Sequence, residues 1–327
     1  MLLRTIAAFI LFTIFSNPLQ AQLRWQRVDS LFGELPASVQ VYRSYDSVAG
    51  EPGIAYYLKA NLRDRDLIFT TDTTDGRRLT PDQFQQRHPD AIAIMNCSFF
   101  SFETNRNLGL VMRDGKLLAY NVHNIFQKKD SNYRYVLAGS FGINRKRKPD
   151  VAWVFTDSST NKVRAWQNYV LSKTITGKKV KVNMREIRQT LDRSAGKPKR
   201  WRMQTAVAGG PVLVQDGRVA VYNNEELKFA GKAIDDRHPR TAVGYTGDGH
   251  VIFLVVEGRR TGLAAGATLT QLAQMLVELG CVEALNLDGG GSSSLLVNGR
   301  ETIKPSDKEG KQRPIPAILL IKKRFNP

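Results

Sequence analysis

The segment from Ala284 to Gly299 carries the residues best suited to chemistry in this 327-residue chain. An apolar run leads to Asn286 and Asp288, and three glycines, three serines and a second apolar run follow. The pattern predicts a strand that brings a carboxylate to its end, then a loop, then a second strand. Glycines let a ligand approach peptide N–H groups, and serine hydroxyls add donors and acceptors. Asp before Gly is also common in plain turns. Because a plain connection needs no pair of polar residues at the end of a buried strand, we favour a ligand site.

Three further segments place polar residues or glycines at predicted strand ends. The first has Asn96 at the end of the run 91–96, and the second has Gly209 and Gly210 before a proline. The third has Arg240 and Thr241 at the start of a strand, with Glu257 and Arg259 after the strand that follows. With Asp288, Gly289, Gly290, Ser292 and Ser293, these are our candidate site residues.

Hairpin turns set the fold class. Four Asp-Gly or Asn-Gly pairs separate short apolar runs, at 114–115, 216–217, 248–249 and 298–299. Such pairs are the strongest short-range hairpin signal. We therefore predict an α+β fold, with largely antiparallel, hairpin-built sheets packed with a few helices.

Two helices are predicted, and each leads into a buried strand. One begins at Thr80 with Pro81 in its first turn and ends near Arg87. The other is capped by Thr268 with Gln271 three positions on, and Gly280 ends it. The strands that follow end in Asn96 and Asp288. This faint internal repeat predicts that these two residues lie at one site.

The first 21 residues have the pattern of a secretory signal, with Arg4, an apolar run from Ile6 to Phe15 and a cleavage site after Ala21. No later run is long enough to cross a membrane. We therefore expect a periplasmic or secreted protein with a single domain at 22–327, in which 22–89 supplies N-terminal strands and a helix. Cys97 and Cys281 are expected to be free or buried thiols.

Positive charge is concentrated between residues 143 and 203, where 17 lysines and arginines face 4 acidic residues within a chain of net charge +18. It includes the runs 144–149, 177–182 and 196–202. We interpret 143–205 as a basic insertion or flap that attracts polyanions, with an ordinary solvated surface as the alternative. Anionic glycans, phosphorylated lipids or wall polymers suit an exported protein better than nucleic acid does. Nearby tryptophans could stack on sugars or pack in the core.

Five motifs then occur in one order along the chain. They are N-x-x-F-F from Asn96, G-G-P-x-L-V-x-D-G from Gly209, H-P-R-T-A-V-G from His238, V-V-E-G-R from Val255, and L-N-L-D-G-G-G-S-S from Leu285. Over about residues 90–322 this series resembles the phosphodiester glycosidase family, in an exported, bacterial-type form. The chain departs from the family at Cys97-Ser98, where a glycine usually follows the asparagine.

The resemblance implies hydrolysis of a sugar-1-phosphodiester, such as an N-acetylglucosamine-1-phosphodiester, at the anomeric carbon. Free sugar and a phosphomonoester would be released. Phosphorylated glycans, lipid-linked sugars or wall polymers are the expected substrates. A phosphate is already a good leaving group, so one carboxylate and an arginine clamp are chemically sufficient.

The candidate residues fit that reaction in distinct roles. Asp288 is the expected base or nucleophile, and Glu257 its partner or a ligand of sugar hydroxyls, unless Glu257 pairs with a neighbouring arginine. Arg240 and Arg259 suit two phosphate oxygens, helped by N–H groups of Gly289–Gly291, unless they form structural ion pairs. Asn96 would bind sugar or orient Asp288. Ser292 and Ser293 would bind substrate oxygens, and Gly209, Gly210 and Thr241 complete the substrate-binding set.

Two other functions are compatible with the sequence. The chain could bind anionic polysaccharide without catalysis, or it could be a phosphoesterase that cuts the P–O bond. The motifs require no cofactor, and they leave open whether a divalent metal assists Asp288.

Overall fold

The computed structural model describes residues 22–127, 131–170, 196–229, 234–307 and 310–324. The predicted export signal at 1–21 and the basic run at 177–182 lie outside the described residues.

Short strands make up most of the described chain. The first eleven are β1 Gln26–Arg27, β2 Val39–Ser44, β3 Ala55–Asn61, β4 Leu67–Thr73, β5 Ala91–Asn96, β6 Val111–Arg113, β7 Lys116–Ala119, β8 Asn124–Gln127, β9 Asn132–Tyr135, β10 Ala138–Ile143 and β11 Pro149–Asp157. The others are β12 Lys162–Trp166, β13 Lys199–Arg200, β14 Thr205–Ala208, β15 Val212–Gln215, β16 Arg218–Val219, β17 Arg240–Thr246, β18 His250–Val256, β19 Cys281–Asn286, β20 Leu295–Val297, β21 Arg300–Glu301 and β22 Ala317–Lys323. The helices are α1 Pro81–Arg87, α2 Asn223–Glu226 and α3 Leu269–Glu278, with 3₁₀ turns at Asp29–Phe32 and Gly290–Ser292.

These strands form three large sheets and one small hairpin. Their orders are β1-β2-β3-β18-β17-β19-β15-β16, β13-β12-β11-β10-β14-β6-β7, β21-β20-β5-β22-β4 and β8-β9. Every strand pairing within the described residues is antiparallel. The predicted antiparallel sheets with few helices are therefore confirmed.

All four predicted hairpin turns are present. They join β6 to β7, β15 to β16, β17 to β18 and β20 to β21. At 114–115, 216–217 and 298–299 both turn residues have positive φ, the backbone twist that suits a two-residue hairpin. Asp, Asn and Gly tolerate that conformation, so the turns could be read from local sequence.

Both predicted helices are confirmed together with their caps. Thr80 and Thr268 each accept the N–H of a glutamine three residues on, and each glutamine side chain accepts the cap residue's N–H in return. Gly280 follows α3 with φ of 81°. Helix α3 packs its apolar stripe on the eight-stranded sheet, whereas α1 packs on the five-stranded sheet.

One apolar cluster joins the three large sheets. It includes Leu58 and Phe253 of the eight-stranded sheet, Phe141 of the seven-stranded sheet, and Met95 and Leu319 of the five-stranded sheet. The N-terminal strands contribute to this core because β3 pairs with β18 along seven residues.

The described part of the positively charged segment 143–205 is built into a sheet. Strands β11 and β12 lie within the seven-stranded sheet, and residues 151–157 are all buried. Trp153, Trp166 and Trp201 are buried in the core, so they do not present faces for sugar stacking. Apolar side chains between the charges anchor these strands in the sheet, and the interpretation of 143–205 as a basic insertion stays a prediction.

Cys97 and Cys281 are free and buried, as predicted. Within the described ranges no helix is long and apolar enough to cross a membrane. The same ranges contain no group of three His, Cys, Asp or Glu side chains arranged to hold a metal ion.

Candidate active site

The ends of β5 and β19 meet, although the two strands belong to different sheets. The side-chain amide of Asn96 donates to the backbone carbonyl of Asp288 at 2.6 Å, and the Asp288 N–H donates to Cys97 O at 2.9 Å. Asn96 Oδ1 accepts from the Thr241 hydroxyl at 2.8 Å and from the Ser294 N–H at 3.0 Å. The predicted meeting of Asn96 and Asp288 is confirmed. Asn96 orients Asp288, and both it and Thr241 are buried.

Asp288 is a partly buried carboxylate with a raised pKa. Burial raises its pKa from 3.8 to about 6, although hydrogen bonding from the Ser292 hydroxyl, the charge of Arg313 and the Gly289 N–H oppose the shift. Its side chain is half-buried, and Oδ1 accepts the Gly289 N–H at 3.1 Å. A carboxylate with a raised pKa is a stronger base than a solvated one, which suits proton transfer or nucleophilic attack near neutral pH.

The glycine-serine loop folds tightly around this carboxylate. The Gly290 N–H is bonded to Pro239 O, and the Gly289 N–H is bonded to Asp288 itself. The loop therefore uses two of the N–H groups that we expected to bind phosphate. Gly290 has φ of 63°, and a Cβ there would lie 3.1 Å from the Arg259 guanidinium. Glycine at this position thus lets the cation approach the loop.

The serines of the loop differ in their bonding. Ser292 Oγ accepts from Arg313 Nη1 at 3.3 Å and also hydrogen-bonds Asp288. The Ser293 and Ser294 hydroxyls are buried and have no hydrogen-bond partner within the described structure. Ser292 is therefore placed at the Asp288 carboxylate, and the role of Ser292 and Ser293 in binding substrate oxygens stays a prediction.

Arg240 is a buried cation without a carboxylate partner. Only 3% of the residue is exposed, and the guanidinium donates to Ala267 O at 2.9 Å and to Asp236 O at 3.0 Å. No ion pair joins it to an acidic side chain in the described residues. Burial, and next the charge of Arg259, lowers its pKa to about 10. It therefore stays charged at neutral pH, and that charge is available to an anionic ligand.

Arg259 and His238 form the outer part of the same cluster. Arg259 is exposed and has φ of 61°. Its Nη2 lies 3.4 Å from His238 Nδ1, and burial followed by the charges of Arg240 and Arg259 lowers the pKa of His238. Burial and both arginines therefore favour the neutral form of His238. We had not named it as a site residue, although it begins the H-P-R-T-A-V-G motif.

Arg313 is a further residue that sequence reasoning missed. It forms a two-pronged ion pair with Asp307, at 2.7 and 2.5 Å, and donates to Ser292. A Cβ on Gly291 would collide with this pair. Because Arg313 lies outside the five motifs, the sequence carried no signal for it.

Glu257 has hydrogen-bond partners other than Asp288. One carboxylate oxygen pairs with Arg260 Nη1, and the other accepts the Lys304 N–H at 2.9 Å. The residue is buried, and no hydrogen bond in the described structure joins it to Asp288. The ion pair that we considered as its alternative role is the one observed, so Glu257 braces the hairpin end.

Gly209 and Gly210 allow close packing next to the site. The Gly209 N–H is bonded to Gly139 O and the Gly210 N–H to Asn286 O, so neither is free for a ligand. A Cβ on Gly209 would fall 2.2 Å from Asn286 O. These glycines thus let the 208–211 segment pack directly against the end of β19.

A family profile described as phosphodiester glycosidase matches residues 89–322. The chain is 40% identical over 102 residues to the N-acetylglucosamine-1-phosphodiester alpha-N-acetylglucosaminidase of Bos taurus, and 35% identical over 85 residues to the uncharacterised prophage-derived protein YomE of Bacillus subtilis. These matches cover 31% and 26% of this chain but only 19% and 13% of the relatives.

The fold is shared with a solved zebrafish structure. This is the catalytic domain of N-acetylglucosamine-1-phosphodiester alpha-N-acetylglucosaminidase, described as auto-inhibited by its pro-peptide. The TM-score is 0.59 at 20% identity, and the alignment covers 93% of this chain and 89% of that one. At this identity the likeness is one of architecture.

Proposed function

The chain belongs to the phosphodiester glycosidase family, and we propose that it hydrolyses the C1–O bond of a sugar-1-phosphodiester resembling N-acetylglucosamine-1-phosphodiester. The products would be free sugar and a phosphomonoester. The observation that carries the proposal is a half-buried carboxylate, Asp288, whose glycine loop packs against the backbone of Arg240 and the guanidinium of Arg259. Neither arginine forms an ion pair with an acidic side chain of the described residues.

Each member of the cluster has a part in this reaction. Negative charge grows on the phosphate as the C1–O bond breaks, and preorganised guanidinium groups stabilise it. Asp288 acts as nucleophile at C1 or as base toward water. His238 Nδ1 faces a guanidinium N–H, which leaves Nε2 as a donor for a substrate oxygen. Because the leaving phosphate needs little protonation, the mechanism does not require a second carboxylate bonded to Asp288.

Product identity tests the proposal. The protein is incubated with UDP-N-acetylglucosamine or a 4-nitrophenyl sugar phosphate, and the products are separated by chromatography. Free sugar with UDP, or with 4-nitrophenyl phosphate, supports the proposed reaction. Sugar 1-phosphate would instead identify a phosphoesterase, and intact substrate would favour non-catalytic binding.

The pH dependence follows from the raised pKa of Asp288. If Asp288 acts as base or nucleophile, kcat/KM should rise as pH passes upward through about 6, because the ionised fraction grows there. With a solvent-exposed aspartate, this rise in kcat/KM would occur about two pH units lower. A rate that falls above pH 6 would show that Asp288 works in its protonated form, as an acid.

A basic cleft offers a way to recruit large anionic substrates, which we propose as its role. This cleft of about 510 Å³ is lined by five exposed cations: Arg145, Lys146, Lys162, Arg200 and Arg202. Lys146→Glu with Lys162→Glu should weaken activity on a large anionic glycan and flatten its salt dependence. Activity on a small substrate should change little.

The control for this cleft is the same change in net charge elsewhere. Arg63→Glu with Arg65→Glu alters two exposed residues between β3 and β4. If both double variants lose the same activity on the large anionic glycan, net charge and not the cleft explains the effect.

A further inference from the structure

An apolar pocket of about 280 Å³ adjoins the candidate active site. Its walls include Phe99, Gly209 and Phe229. Phe99 follows the Cys97 carbonyl that holds Asp288, and Gly209 packs against Leu287. The pocket therefore begins beside the end of β19, close to Asp288.

One cation projects into this apolar space. Lys228 lines the pocket, and its ammonium lies 5.3 Å from the centre of the Phe99 ring. The ammonium of Lys228 makes no hydrogen bond or ion pair with any described residue. The nearby Glu226 attracts it but is itself bonded to Trp153 Nε1 and to the N–H groups of Val212 and Gly139. An ammonium on an apolar wall, beside a carboxylate that already accepts three other hydrogen bonds, fits a ligand that is both anionic and apolar.

The Lys228 ammonium and Arg240 approach the same pair of aromatic rings. Phe229 lies edge-on to Phe99, with ring centres 6.0 Å apart, and the Arg240 guanidinium lies 5.7 Å from the Phe229 ring centre. A phosphate held by Arg240 would therefore have Lys228 and the pocket as near neighbours.

The pocket mouth is open and apolar. Leu108 and Val122 line it and are 41% and 48% exposed. Phe126, next to the lining residue Ile125, is 49% exposed. Large apolar side chains grouped at a pocket rim are typical of a surface that receives an apolar ligand.

We propose that the pocket binds an alkyl chain esterified to the phosphate, so that the preferred substrates are lipid-type sugar-1-phosphodiesters, with Lys228 contacting a phosphate oxygen. This inference rests on the proposed function. It makes Phe99, Val122 and Phe229 specificity-determining residues for the leaving group rather than for the sugar.

A series of esters tests this specificity. N-acetylglucosamine 1-phosphate carrying methyl, butyl, hexyl or octyl groups should show kcat/KM rising with chain length. The rise should reach about fourfold per methylene, the equivalent of about 0.8 kcal/mol, until the pocket is filled. Lengthening the N-acyl group of the sugar on the methyl ester should bring no such gain. If kcat/KM instead rises with the length of the N-acyl group, the pocket binds the sugar and the proposal is overturned.

Matched variants locate the effect. Val122→Asp should reduce the gain from methyl to octyl by at least tenfold, because it places a charge at the pocket mouth. Val219→Asp changes a valine of similar exposure, 42%, on strand β16, and it should keep the full gain. If both variants keep the full gain in kcat/KM, the alkyl group binds outside this pocket and the inference is wrong.

Calorimetric binding of octyl phosphate gives a readout that does not depend on turnover. Octyl phosphate should bind at least tenfold more tightly than inorganic phosphate. Lys228→Met should weaken the binding of octyl phosphate more than Lys228→Arg does. If no ester releases sugar, methyl included, the proposed function fails, and this titration still decides the pocket. Equal affinities for octyl phosphate and inorganic phosphate would refute the inference alone.

Discussion

Asp288→Asn is expected to lower kcat/KM by about 10³- to 10⁵-fold, or about 4–7 kcal/mol of transition-state stabilisation. Asparagine keeps the size of the side chain and can still hydrogen-bond Ser292, but it lacks the charge and basicity. Steady-state kinetics on a small sugar phosphodiester measures the loss, and calorimetry with the intact substrate should show that binding is retained.

The stability of this variant separates a catalytic role from a structural one. Burial raises the pKa of Asp288 to about 6, so the folded protein holds the proton more tightly than the unfolded chain does. Ionisation above pH 6 therefore costs the wild type up to about 3 kcal/mol, a cost that asparagine lacks. The variant should melt at or above the wild-type temperature at pH 8. That difference should vanish as pH falls toward 4.

Glu257→Gln is the matched carboxylate control. Glu257 is buried in an ion pair with Arg260 and makes no hydrogen bond with Asp288 in the described structure, so this variant should lose stability while the folded enzyme keeps most of its turnover. The reverse pattern, with turnover retained in Asp288→Asn and lost in Glu257→Gln, would move the chemistry to Glu257.

Arg240→Ala should cost about 2–4 kcal/mol in kcat/KM, the scale of removing one preorganised electrostatic stabiliser. Lysine should restore little, because it lacks the planar guanidinium and cannot bond two phosphate oxygens at once. Kinetics on the folded fraction, quantified by circular dichroism, gives the measurement.

Arg237→Ala controls for the structural part of this effect. Like Arg240, Arg237 donates to two backbone carbonyls, those of Gly266 and Val48. Both variants lose such hydrogen bonds, but only Arg240 has its charge in the proposed phosphate site. Equal kinetic losses in the two variants would mean that Arg240 acts through folding alone.

Local sequence predicted the features that depend on neighbouring residues. The hairpin at 114–115 and the capping box at Thr268 were read correctly because positive φ and side-chain caps are properties of a few adjacent residues. The pairing of β3 with β18 joins segments almost 200 residues apart in the sequence, and no local pattern encodes it. The three-sheet arrangement was therefore not predicted.

The site was predicted in part for the same reason. Asn96 and Asp288 stood out as polar ends of apolar strands, and the structure joins them by a hydrogen bond of 2.6 Å. Glu257 has the same local pattern, yet its partner Arg260 is three residues away and satisfies it within the hairpin end. Arg313 reaches Ser292 only through the tertiary fold. Position at a strand end thus identifies candidate catalytic residues. Only their contacts in the folded protein distinguish a reacting group from a residue that stabilises the fold.

Hydrolysis in H₂¹⁸O tests the central claim most directly, because it shows which bond breaks. A small sugar-1-phosphodiester is hydrolysed completely, and the phosphomonoester is analysed by mass spectrometry. Cleavage of the C1–O bond at Asp288 predicts a phosphomonoester without ¹⁸O, since water oxygen enters the sugar. Incorporation of one ¹⁸O into the phosphate would contradict the account, because water would then have attacked phosphorus.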